Sequence, residues 1–217
     1  SIGGNYTIEN NLFLTNIYIQ QGPGSLNNTY NINNNPYLTD LWLVNNGLAI
    51  LNVSNNLALN TLWCYNNQIT SLDVSNNLAL TNLACYNNQI TSLDVSNNLA
   101  LTELWCYDNQ LISLDISGAT ALTTLNCQNN QLISLDVSGA TALASFSCGQ
   151  NQLTSLEVNN TAIVLLDFSN NPQQNNAFAP SIISLNFLNN PNLESIRLSS
   201  LNLNSTTTFS FANNPSL

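Results

Sequence analysis

The chain contains no Lys, no His and no Met, and Arg197 is its only base. Charged residues make up 6% of the 217, far below the usual quarter. Each absence excludes something. A single guanidinium cannot neutralise a run of phosphates, so nucleic acid is ruled out as a partner. Anionic membrane surfaces are disfavoured for the same reason. Without His, the commonest acid/base group and metal ligand is missing. No run of about 18 apolar residues exists, so membrane insertion is not expected. No signal peptide is visible, and the chain opens at Ser1 rather than Met, which points to a processed or excised piece.

What remains is 44% hydrophobic, enough for a continuous core, with a net charge of -10 from 11 acids. Asn takes the place of charge, so the surface is polar but mostly uncharged. The chain is also periodic. Leu80–Ala100 reads LTNLACYNNQITSLDVSNNLA, and Leu59–Ala79 reads LNTLWCYNNQITSLDVSNNLA; only three positions differ. Further copies begin at Leu38, Leu101, Leu122 and Leu143, and degenerate ones near Ile163 and Ile182. Self-similarity at such a period marks a solenoid.

Numbering each copy from its first Leu gives columns. Columns 1, 4, 11, 14 and 16 are apolar almost throughout. Column 4 holds Leu41, Leu62, Leu83, Leu104, Leu125 and Phe146. Column 6 is Leu43 and then Cys64, Cys85, Cys106, Cys127 and Cys148. Apolar columns 4 and 6 flank a variable column 5, the alternation of a half-buried strand. Stacked copies therefore predict a parallel sheet, each coil burying its apolar side only against its neighbours. Column 9 is Asn, from Asn46 through Asn67, Asn88, Asn109, Asn130 and Asn151 to Asn171 and Asn190. A file of amides at a turn can bond backbone groups of its own and adjacent coils.

The pattern LxxLxLxxNxL, clear over Leu38–Ala162 and weaker in the flanks, resembles the leucine-rich-repeat signature. The longer string LxxLxCxxNQLxSLDVS resembles the cysteine-ladder members of the internalin family of bacterial surface proteins. That resemblance implies an α/β-class, mostly β and coil, right-handed solenoid. It would carry a parallel sheet on the concave face and extended or 3-10 segments on the convex face. It also implies an extracellular or cell-surface adhesin-type module. One continuous domain is expected: irregular coils over 1–37, regular repeats over 38–162 and degenerate repeats over 163–217.

The five cysteines recur every 21 residues at an inward column. Side-by-side residues on parallel strands have parallel Cβ vectors, which suits disulfides poorly. A linear file does not converge on a metal. The expectation is free, buried thiols acting as small hydrophobes, with a redox or metal role as the alternative.

Columns 3, 5, 7 and 8 are expected to project from the sheet. Column 5 carries Trp42, Trp63, Ala84 and Trp105, and column 7 carries Val44, Tyr65, Tyr86 and Tyr107. Asp40, Glu103 and Asp108 edge this patch, and beyond it the surface turns small and polar. Clustered exposed rings mark recognition sites and suit either the apolar faces of sugars or a protein partner. The competing reading is that the rings only stack to strengthen the sheet.

Column 15 is acidic: Asn52, then Asp73, Asp94, Asp115, Asp136 and Glu157. Ser or Asn two residues on predicts local capping of each carboxylate. Ca²⁺ between Asp73, Asp94, Asp115 and Asp136 is the alternative, although no calcium-loop spacing is present. No other cofactor is implied.

Catalysis is not expected. No His or Lys exists to activate the many hydroxyls. Glu103 and Asp108 share a coil of the patch and are the one carboxylate pair that could serve a glycosidase, but a solenoid face rarely encloses a carboxyl enough to raise its pKa. The sequence thus predicts a non-enzymatic module for a protein or glycan partner. The alternative is a structural spacer or self-associating element of a surface assembly. Gly22-Pro23-Gly24 predicts a sharp break and Pro172–Pro180 a loop. The chain stops inside a coil without a polar cap, so further domains or another chain are expected beyond Leu217.

Overall fold

The computed structural model describes residues 4–20, 28–163, 165–169, 171, 184–197 and 207–217. The break at Gly22-Pro23-Gly24 and the loop expected at Pro172–Pro180 lie outside them. The described chain is a β-solenoid. Its main sheet has nine strands that follow one another in chain order. They are Asn16–Gln20, Asp40–Val44, Thr61–Trp63, Asn82–Ala84, Glu103–Trp105, Thr124–Asn126, Ser145–Ser147, Leu165–Asp167 and Ser195–Arg197.

All pairings in this sheet are parallel. The register matches residues 21 apart through the regular repeats, so Leu41, Leu62, Leu83, Leu104, Leu125 and Phe146 form one file. The ladder continues past the short strands. Cys64 N donates to Ala84 O at 2.8 Å, and Cys85 N donates to Trp105 O at 2.9 Å. The apolar columns become a single core running the length of the solenoid, and all five cysteines are fully buried within it.

The sheet ends at a turn built by Asn. Asn45, Asn66, Asn87, Asp108, Asn129 and Gln150 all have φ between 52° and 58°. This left-handed region is one that Asn and Asp tolerate better than other side chains. Column 8 was expected to project from the sheet; it instead occupies this turn.

The next residue is the column-9 Asn, and its amide closes the backbone account. Asn109 Nδ2 donates to Cys85 O at 3.0 Å in the preceding coil and to Cys106 O at 3.1 Å in its own. Its Oδ1 accepts from Ile90 N at 3.0 Å. Asn88, Asn130 and Asn151 repeat the arrangement. Backbone groups that turn inward are therefore paired without helix or sheet.

The opposite side is less regular. Asn5–Glu9, Asn28–Asn33 and Leu48–Asn52 form one small parallel sheet, and Ser92–Asp94 pairs with Ser113–Asp115. Ser155–Glu157, Ser184–Asn186 and Thr208–Ser210 form another. Among the described residues there is no α-helix and no 3-10 segment, which corrects the α/β label, and of the extended or 3-10 segments expected on this side it is extended strands that form. The return leg, LxSLDVSNNLA, explains why. Leu72 and Val74 point inward with period two, and Asp, Ser and Asn offer the backbone local partners that compete with helix.

A second buried Asn file, unrecognised in the sequence, runs along this leg. Asn56 Nδ2 donates to Ile32 O and Val53 O, Asn77 Nδ2 to Val53 O and Asn56 O, and Asn98 Nδ2 to Val74 O and Asn77 O. It stops where Ala119 and Ala140 take over the column.

Candidate functional site

The in-register sheet brings the expected rings together. Trp42 and Trp63 stack with centroids 4.2 Å apart and planes 15° apart. Tyr65 stacks on Tyr86 at 4.4 Å, and Tyr86 on Tyr107 at 4.4 Å, with planes within 9°. Trp63 joins the two files, tilted against Tyr65 at 6.5 Å. Strand spacing is about 4.8 Å, so rings on adjacent strands fall naturally into contact. Close packing also marks the phenols: burial, then the neighbouring Tyr107 and Tyr65, push the Tyr86 hydroxyl well above its ordinary value.

One ring of this face was missed. Tyr18 pairs in register with Trp42 and meets it edge-on at 4.5 Å. The signal was present, because Leu14, Ile17 and Ile19 set the LxxLxL spacing and place Tyr18 in column 5. Trp42 is consequently held between two rings, and its buried Nε1 has no acceptor.

Trp105 differs from the others. It pairs in register with Ala84 on one side and Asn126 on the other, so no ring on an adjacent strand reaches it. Its Nε1 donates to Glu103 Oε2 in a long hydrogen bond of 3.4 Å. Between Trp63 and Trp105 the face is notched. This open cavity of about 330 Å³ is lined by Trp63, Ala84, Trp105, Asn82, Glu103 and the three tyrosines. A neighbouring hollow of about 310 Å³ lies against Tyr18, Trp42, Val44 and Trp63.

The expected acidic edge divides. Glu103 lines the notch. Asp40 lies in the same column as Glu103 and accepts from Thr39 Oγ1 at 2.8 Å, outside both hollows. Asp108 sits in the turn, its Oδ1 accepting from Asn129 Nδ2 at 2.6 Å. Glu103 therefore stands on the strand at the notch, and Asp108 in the turn that follows it.

The acidic column is capped locally. Oδ1 of Asp73, Asp94, Asp115 and Asp136 accepts from the backbone N of Ser75, Ser96, Ser117 and Ser138 at 2.8–3.0 Å. The Ser75 hydroxyl and N–H hold Asp73 below the usual carboxylate range; the Ser117 N–H and hydroxyl do the same for Asp115. A broad hollow of about 710 Å³ spans Asp94, Asp115 and Asp136. No group of three or more Cys, Asp or Glu among the described residues is arranged to hold a metal ion. The cysteines are free, and burial pushes Cys85 and Cys127 up to about 12 and the others higher than a usual thiol. No described helix is long and apolar enough to cross a membrane.

Repeated coils, a parallel sheet and an Asn-closed turn give the chain the form of a leucine-rich-repeat solenoid, consistent with the solved structures it is similar to. The functional domain of InlJ from Listeria monocytogenes, which includes a cysteine ladder, matches with a TM-score of 0.56 at 27% identity, over 89% of this chain and 54% of that one. The LRIM1/APL1C complex matches with a TM-score of 0.58 at 17% identity, over 96% of this chain and 48% of that one, a likeness of fold alone. Both neighbours are leucine-rich-repeat proteins, and the chain spans about half the length of each. No protein-family model and no curated protein matches the chain.

Proposed function

We propose that the chain is a non-enzymatic binding module of a secreted or cell-surface bacterial protein, docking its partner on the aromatic face of the main sheet. Trp105 carries the reading. Stacking accounts for Trp42, Trp63 and the three tyrosines, but Trp105 stands without a ring on either adjacent strand, beside a notch. An indole left partly exposed beside a hollow forgoes stacking energy that a ligand can supply. The mechanism is preorganisation: the sheet holds the rings in place, so little conformational entropy is lost on docking. The likeness to InlJ supports an extracellular setting and a protein-interaction role.

The test is a binding screen against surface extracts and a glycan panel, using wild type and the W63A/W105A double variant. Buried aromatic anchors contribute about 2 kcal/mol or more each, so the double variant should bind at least tenfold more weakly with its fold intact. Equal binding by both proteins overturns the proposal.

A second reading, a self-associating spacer, has an observation of its own. Leu57, Leu78 and Leu99 form a file on the return leg, exposed by 62%, 60% and 62%. Sedimentation of wild type against L57S/L78S/L99S decides it: concentration-dependent association that the variant loses favours the spacer.

A further inference from the structure

The notch over Ala84 is built by substitutions confined to one strand. Leu59–Ala79 and Leu80–Ala100 agree at every position except three: Asn60 against Thr81, Thr61 against Asn82, and Trp63 against Ala84. All three fall on the strand of the main sheet or at its entrance, and together they shape one place. Ala84, 6% exposed, is the floor where the adjacent repeat has an indole. Asn82 is on the rim. Thr81 Oγ1 lies 2.7 Å from Asn82 Oδ1 and 3.0 Å from Asn60 Oδ1, and its single proton is best placed for the nearer, which orients the rim amide and leaves its Nδ2 for another acceptor. Core, turn and return-leg positions are untouched.

Width limits what fits. Trp63 and Trp105 stand on strands two spacings apart, roughly 9.6 Å. A flat ring sandwiched between two faces needs roughly 7 Å, twice the contact distance of carbon atoms. It would leave a gap of more than 2 Å. A puckered saturated ring, with hydrogens standing off both faces, takes up roughly 1 Å more on each side. Chemistry narrows the choice further. The rim offers an amide donor at Asn82 and a carboxylate acceptor at Glu103, and phenol groups of Tyr65, Tyr86 and Tyr107 border the other side. A donor and an acceptor side by side match two neighbouring hydroxyls, each of which both donates and accepts. With net charge -10, an anionic ring is disfavoured.

We infer that the notch is a subsite for one neutral hexopyranose ring of a glycan, sandwiched between Trp63 and Trp105 over Ala84 and held at its hydroxyls by Asn82 and Glu103. The inference rests on the aromatic face being the binding face and names what that face takes.

The experiment uses the triple variant T81N/N82T/A84W, which gives the second repeat the strand of the first. That strand already packs in this solenoid, so the variant folds with the notch filled and the indole file unbroken. Wild type, the triple variant and W63A/W105A are titrated with neutral gluco-, manno- and galacto-oligosaccharides. Calorimetry reads the binding, as does tryptophan fluorescence, since all three Trp lie on this face. A84W alone provides a second filled notch. The expected result is saccharide binding by wild type that falls at least tenfold in both filled variants and in W63A/W105A. Saccharide binding kept by the filled variants but lost by W63A/W105A overturns the notch and spares the face. No saccharide bound by wild type, with a protein captured through Trp63 and Trp105 instead, also overturns the inference and spares the face. Indifference of every partner to W63A/W105A overturns both.

Discussion

Replacing Asn109 by Ala tests what closes the turn. Asn109 Oδ1 is the acceptor for Ile90 N, and its Nδ2 serves Cys85 O and Cys106 O. The two carbonyls keep one amide each, because Asn88 also donates to Cys85 O and Asn130 to Cys106 O. The Ile90 N–H keeps nothing. A buried orphan donor costs about 1–3 kcal/mol, and each half-lost carbonyl bond adds about 0.5 kcal/mol or more. The expected loss for N109A is therefore about 2–4 kcal/mol in urea unfolding monitored by far-ultraviolet circular dichroism. N109D sharpens the test. It keeps the acceptor for Ile90 but turns a carboxylate toward two carbonyls, so its pKa in the folded protein must lie above the unfolded value. A group of that kind contributes most below its unfolded pKa and loses the contribution as pH rises through the folded pKa. The deficit of N109D against wild type should thus grow from pH 4 to pH 7, while that of N109A stays flat. A loss below about 0.5 kcal/mol for N109A, or a pH-independent N109D, would refute the view that amides rather than strands hold this turn.

Four further outcomes follow from the same geometry. N98A should cost less than N109A, about 1 kcal/mol, because Asn98 serves carbonyls only and the chain itself uses Ala119 and Ala140 in that column; matched urea midpoints check it. G118A should destabilise far more than G139A, since an added Cβ would stand 1.8 Å from Ser96 O in one case and 3.0 Å from Ser117 O in the other; thermal melts rank them. The five thiols should resist a disulfide reagent in the native protein and react fully in guanidinium, given complete burial and raised pKa values. Asp73 and Asp115 sit below the usual carboxylate range, so their stabilisation is complete above about pH 4 and fades as pH falls through the lowered folded values; D73N/D115N should flatten the acid limb of the stability curve.

Much of this molecule was legible because the sequence repeats. Periodicity alone placed the core columns, the parallel register, the buried thiols and the column-9 amides, since a residue and its copy 21 positions on become neighbours. Reading column by column failed where a local preference decides. Column 8 follows the strand and was expected to project from the sheet; Asn87 and Asp108 are exposed, but from the left-handed turn that they and Asn66 take. The inner Asn of the second file carries no separate signal, because a neighbouring Asn precedes it and Ala later replaces it. The α/β label came from resemblance, whereas Asp73 capping Ser75 belongs to a chain that bends rather than coils. Tyr18 was passed over because its repeat is irregular, although its spacing was intact.

The division between columns explains how a solenoid acquires specificity at little structural cost. Core leucines, cysteines and the column-9 amides are repeated almost unchanged because each must match its copies on either side. Columns 3, 5 and 7 meet such a constraint only from their ring neighbours, and these can be removed singly. Replacing one indole by Ala84 costs one or two stacking contacts, about 0.5–1.5 kcal/mol each, while the backbone beneath keeps every hydrogen bond. The reverse change should therefore be stabilising: A84W joins the Trp42–Trp63 stack to Trp105, and the melting temperature should rise. A protein selected for stability alone would have made that change, given how closely the two repeats agree elsewhere. A fall in melting temperature for A84W would show that Ala84 is there for packing, and the argument that the notch stands open for a ligand would lose its energetic ground.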